Sequence, residues 1–232
     1  MNQQETLAAL DDRIRHRSIL EHPFYRAWSA GTLTREQLAT YAAIYYPHVA
    51  AFPGYLERAA QATTDPAIRA TLEDNLGDEL GNPAPHPALW IDFAAALGCD
   101  ADAVRNAAAR SGAAAIVDAF NRLAAQSPAA GIAALYAYES QQPEVAARKA
   151  AGLRELYGVC APEAVAYFDV HAQADVEHRA GERAALERLL DRGDTQPSEV
   201  LAAADAALDA YWGLLDTVCA EAGIGCRTAA SS

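Results

Sequence analysis

Residues 162–190, PEAVAYFDVHAQADVEHRAGERAALERLL, decide the fold class. Proline is favoured in the first turn of a helix, where its missing N–H would have no partner anyway. From Pro162 the apolar positions recur at helical spacing through Leu190, which predicts one long helix. Within it, His171, Asp175 and His178 form an H-x3-D-x2-H run. At 3.6 residues per turn these positions are i, i+4 and i+7, so they share one face within an arc of roughly 60°. Two imidazoles and a carboxylate on one stripe make a mixed nitrogen and oxygen donor set suited to iron, manganese or zinc. The same residue types also populate solvated helix faces, so the run has to find partners elsewhere in the chain.

Two upstream elements offer them. Asp78 and Glu79 close one helical pattern, and His86 follows in the Pro-rich break from Gly81 to Pro87. Glu139 ends the otherwise apolar run from Ile132 to Tyr138, where an unpaired carboxylate would be costly to bury. Its alternatives are exposure or pairing with Arg148 or Arg154. Glu79, His86, Glu139, His171, Asp175 and His178 together supply three carboxylates and three imidazoles. That set could hold two divalent metal ions, whose four positive charges three carboxylates would reduce to about one.

Helix signals cover most of the remaining chain. A first helix is predicted from about Glu5 to Leu20, and His22-Pro23 opens a short piece ending at Gly31. Thr34 and Gln37 fit a capping box for a helix that Pro47 and Pro53 should bend. Asp65-Pro66 starts the helix that delivers Glu79. The pattern restarts at Leu89 and runs to Gly98, then continues more loosely from Asp102 to Ala125. Pro128 begins the Glu139 helix, which Pro143 should kink before Gly158, and Glu199 to Ala222 forms a last helix. The composition and periodicity predict an all-α protein, with one domain over residues 1–223 and a flexible tail over 224–232.

With a net charge of −13, the chain has no basic stripe to neutralise phosphates, which argues against nucleic acid and against anionic membrane surfaces. No apolar run is long enough to span a bilayer, and the first residues do not read as a secretory signal, so a cytoplasmic protein is expected. Cys99, Cys160, Cys219 and Cys226 contain no C-x2-C pair and predict no disulfide framework; they read as buried small residues or as a mobile pair near the tail. Lys149 is the only lysine among the 18 basic residues. A primary amine can deprotonate when desolvated and act as a nucleophile, which a guanidinium does not readily do.

The segments HPFYRAWSAG (22–31), YYPHVAAFPGYL (45–56), DELGNPAPH (78–86), YAYES (136–140) and YFDVHAQADVEH (167–178) resemble the heme-oxygenase-like superfamily. That superfamily includes TenA thiaminases, pyrroloquinoline-quinone synthases and a branch of dimetal oxidases. Within it the chain resembles the CADD group, death-domain-associating proteins that act as self-sacrificing p-aminobenzoate synthases. All six metal-ligand positions of that group are filled here by suitable residues. The resemblance implies a heme-oxygenase-like helical bundle, two divalent metal ions (Fe/Fe or Mn/Fe), O2 as co-substrate and an external reductant. Helical proteins of this fold often pair, so a homodimer is expected.

The resemblance also makes Tyr25 the sacrificed tyrosine and Lys149 the donor of the amino nitrogen, and it places Tyr41, Tyr138 and Tyr167 near the metals. Ordinary core packing is the alternative for each of these tyrosines. Two departures narrow the activity. A thiaminase needs a cysteine nucleophile, and none occurs between Cys99 and Cys160. Three converging carboxylates would repel a multiply carboxylated quinone precursor. Two rival functions stay open: a dimetal oxidase acting on an external fatty acid or amino acid, and a protein-interaction module without catalysis. The prolines around His86 lead us to expect that it is mobile without metal.

Overall fold

The computed structural model describes residues 1–81 and 84–225, and all regular structure among them is helical. The helices are α1 (Gln3–His16), α2 (Pro23–Ser29), α3 (Arg35–Ala62), α4 (Pro66–Leu80), α5 (His86–Ala96), α6 (Ala101–Asn106), α7 (Ser111–Gln126), α8 (Pro128–Glu139), α9 (Gln142–Glu155), α10 (Pro162–Asp191) and α11 (Pro197–Glu221). A single 3₁₀ turn, Ile19–Glu21, joins α1 to α2. Asn82, Pro83 and most of the C-terminal segment expected to be flexible, including Cys226, lie outside the described residues. No helix among the described residues is long and apolar enough to cross a membrane.

The start signals read from the sequence operate as cappers. Thr34 accepts from the Gln37 amide while the Gln37 side chain accepts from the Thr34 amide, which completes a capping box. Asp65 accepts from the amides of Ala67 and Ile68 at the head of α4. α3 runs through Pro47 and Pro53 without a break.

The structure differs from the sequence reading at three places. α1 stops at His16 rather than Leu20, because the Ser18 hydroxyl caps the 3₁₀ turn that follows. The loose stretch after Asp102 resolves into α6 and α7. Pro143 does not kink one helix but separates two. Its ring would meet the carbonyl of Glu139 four residues back, so α8 ends at Glu139 and α9 restarts with Pro143 in its first turn.

α8 is buried from Ala129 through Glu139, which makes it the central rod of the bundle. α7, α10 and α11 pack along it, α3 crosses it, and α4, α5 and α9 close over α10. Gly131 permits the tight approach: a Cβ there would sit 3.1 Å from the Ala124 Cα and 3.3 Å from the Ala59 Cβ. The polar residues buried between α4, α5, α8 and α10 are therefore enclosed by helices rather than by loops.

Candidate metal centre

Four helices deliver the six residues singled out in the sequence. α4 brings Glu79 in its last turn, on the face already buried by Ile68, Leu72 and Asn75. α5 begins at His86, with Pro85 before it and Pro87 in its first turn. α8 ends on Glu139, and α10 presents His171, Asp175 and His178. None of the six is more than 7% exposed. The His86 ring is packed 4.4 Å, centroid to centroid, from that of His171.

The six form two triads. In the first, Glu79, His86 and His171 each offer a donor atom within 4.8 Å of the other two; in the second, Glu139, Asp175 and His178 do the same. The His86 Nδ1 lies 2.9 Å from the Glu79 Oε1, yet neither His86 nitrogen is in hydrogen-bonding geometry with a partner among the described residues. One oxygen of Asp175 is likewise buried and unpartnered. His178 and Asp175 do share a hydrogen bond at 3.2 Å, but the unpartnered His86 nitrogens and Asp175 oxygen are buried ligand atoms of the kind a metal site supplies.

The ring orientations fit the same purpose. His171 Nδ1 donates to the Tyr167 carbonyl at 2.7 Å, which leaves its Nε2 facing Glu79 at 3.6 Å. His178 is turned the other way. Its Nδ1 faces Asp175 at 3.2 Å and Glu139 at 3.4 Å, while Nε2 meets Asp78 at 3.0 Å. Asn75 donates to both Glu139 oxygens, at 3.0 and 3.1 Å. Glu139 pairs with neither arginine considered for it, since Arg148 holds Glu144 and Arg154 holds Asp169.

The electrostatics without metal are those of a crowded acid and imidazole cluster. Burial opposes ionisation of Glu79, but the imidazoles of His171 and His86 beside it outweigh burial and hold the carboxyl at about 2. Burial also disfavours the charged form of His171, yet Asp175 and Glu79 lift it to about 8. For His178 burial is again overcome, by Asp175, Glu139 and Asp78, and its value rises to about 11. Asp175 is pushed up to about 6, chiefly by burial.

A small internal cavity joins the two triads. It is lined by Glu79, Glu139, His171 and Asp175 together with Val49, Phe52, Tyr138 and Tyr167. It has room for about one water molecule. Tyr138 and Tyr167 therefore sit at the cluster itself. Tyr167 stacks on His171 at 4.0 Å and meets Trp90 edge-on at 4.8 Å.

Tyr25, Tyr41 and Lys149 are brought together one aromatic layer further away. Trp90 lies 5.6 Å from Tyr41, whose hydroxyl accepts from Lys149 Nζ at 2.5 Å. The same Nζ is 5.0 Å from the centre of the Tyr25 ring. Lys149 is 3% exposed, and burial alone drives its ammonium well below the usual lysine value. Burial, with Tyr211 and Tyr41 nearby, raises the Tyr25 phenol well above its ordinary value, and its hydroxyl makes no hydrogen bond of normal geometry.

The sequence reading missed Asn75 and Glu182. Asn75 precedes Glu79 by four residues and Glu182 follows His178 by four, so both continue a ligand-bearing face. That spacing was the available signal.

Residues 39–212 match the family of iron-containing redox enzymes, and the chain belongs to that family. It is an oxidoreductase of the heme-oxygenase-like helical fold. The 4-aminobenzoate synthase of Chlamydia muridarum is 42% identical over 212 residues, covering 91% of this chain and 89% of that protein. The 4-aminobenzoate synthase of Nitrosomonas europaea is 40% identical, with 90% and 89% covered. Among solved structures, a TenA homologue from Pseudomonas syringae superposes with a TM-score of 0.76 at 19% identity, covering 94% of this chain and 93% of that one.

Proposed function

We propose that the chain makes p-aminobenzoate for folate synthesis from its own side chains, Tyr25 supplying the aromatic ring and Lys149 the amino nitrogen. The activity named for its relatives supports the product class. The observation that carries the self-sacrificing part is the burial of the chain's only lysine 5.0 Å from the Tyr25 ring. Its sole hydrogen bond among the described residues is to Tyr41, with no carboxylate to hold it charged.

Glu79, His86 and His171 would hold one metal ion, and Glu139, Asp175 and His178 the other. A reduced pair, Fe/Fe or Mn/Fe, would supply reduction of O2 and the oxidising power for the reaction, with electrons from an external reductant. The protein's own groups do the rest. Burial disfavours the ammonium form of Lys149 and so favours the nucleophilic amine. It also keeps the Tyr25 phenol protonated until oxidation. Tyr41 fixes the direction of the amine by accepting its hydrogen bond.

The cavity size favours this reading over an external substrate. A space for about one water molecule suits a molecule as small as dioxygen better than a fatty acid or amino acid. Tyr25→Phe and Lys149→Met variants should fold and load metal as the wild type does. Neither should rescue a p-aminobenzoate-auxotrophic bacterium that the wild type rescues. Rescue by both variants would remove the self-sacrificing reaction and leave the metal centre standing.

A further inference from the structure

Glu182 is 1% exposed, and neither of its carboxylate oxygens has a hydrogen-bond partner. It lies on α10 one turn beyond His178, so the helix carries it on the face that already bears Asp175 and His178. Its carboxylate faces that of Glu139, with Asp175 also acting on it. Among the described residues two acceptors thus meet in the interior with no donor between them, and no arginine or lysine is paired with Glu182. Burying such a pair is costly unless a proton or a cation sits with it.

A cation resolves more of the observed arrangement than a proton does. The neighbouring Asp175 also has an unpartnered oxygen, and both Glu139 oxygens already accept from Asn75. Two divalent ions would carry four positive charges against three carboxylates from the two triads, and a fourth carboxylate brings the balance to about zero. Glu182 stands outside the tight triad of Glu139, Asp175 and His178, so it would approach from the Glu139 side.

We infer that Glu182 is a further carboxylate ligand of the ion held by Glu139, Asp175 and His178. This rests on the two-metal reading above. It makes the subsites unequal: two imidazoles and one carboxylate in the first, one imidazole and three carboxylates in the second. Carboxylate oxygen suits manganese, whereas imidazole suits iron, so the second subsite selects manganese.

The experiment measures Mn2+ binding to the whole metal-free chain by equilibrium dialysis with elemental analysis, for the wild type and for Glu182→Gln. The glutamine amide can still donate to Glu139, so a role limited to sharing a proton survives the substitution. The wild type should bind two ions, one more tightly, and Glu182→Gln should weaken the tighter site about tenfold or more. Unchanged affinity in a folded Glu182→Gln protein would overturn the assignment while leaving two metals in place. A wild type that binds fewer than two ions would overturn the two-metal reading itself. A structure of the Mn2+-loaded wild type decides independently of the variant's folding. A Glu182 oxygen within about 2.3 Å of an ion supports the assignment, and one beyond contact distance of both ions overturns it.

Discussion

His178 is turned so that one nitrogen faces the cluster and the other leaves it. Its Nε2 meets Asp78, a carboxylate still 59% exposed, and this contact fixes which nitrogen is free to bind a metal. A carboxylate behind a metal-binding imidazole orients the ring and raises its basicity, at a typical value of ten- to a hundredfold in affinity. Asp78→Asn should therefore lower metal affinity by about tenfold while leaving two ions bound at saturation. His171→Ala should instead lose stoichiometry, which elemental analysis distinguishes from weakened binding. The six candidate ligands that the structure brings together were legible in the sequence because His171, Asp175 and His178 announce a helix face, and Glu139 is a charge in an apolar run. Glu182 offered only its four-residue spacing from His178. It sits in GERAALER, where a glutamate among arginines reads as solvated surface, and only the packing of α8 against α10 shows that its face is buried.

The elements were legible wherever a capping residue or a proline gave a local instruction, as at Thr34, Asp65, Pro128 and Pro162. Pro143 was read as a kink, because sequence alone does not say whether packing will hold two helical segments in line. Here α8 is sealed in the core and α9 packs on α10, so the chain turns at residues 140–141 and places Glu139 at a helix end. α9 also shows how a glycine shapes the aromatic pocket. Gly152 follows Lys149 by three residues on the same face, and a Cβ there would lie 2.7 Å from the Trp28 Nε1. Gly152→Ala would gain up to about 1 kcal/mol in helix propensity. Crowding a packed indole costs about 1–3 kcal/mol, so crowding should win. Urea unfolding of the metal-free variant should show a net loss of about 1 kcal/mol, and an unchanged midpoint would mean that the Trp28 ring yields freely.

For the whole molecule, the buried cluster links stability to pH with a sign that metal should reverse. His171 and His178 have folded-state values of about 8 and about 11, above the ordinary histidine value. Their contribution to the metal-free fold is complete below about pH 6.5 and is lost as pH rises, for His171 through about 8. Asp175, raised to about 6, acts in the same direction at lower pH. The melting temperature of metal-free protein should therefore fall between pH 6.5 and 9. In the loaded protein the ions compete with these protons, so binding, and the stabilisation it adds, should grow over the same interval. Parallel slopes for the two forms would show that the cluster does not hold the metal. The reaction itself is tested most directly by peptide mass spectrometry of the full chain, loaded with iron and manganese and exposed to reductant and O2. We expect p-aminobenzoate to be released together with a mass loss confined to the peptide containing Tyr25. Release of p-aminobenzoate from protein whose Tyr25 peptide keeps its full mass would contradict the account.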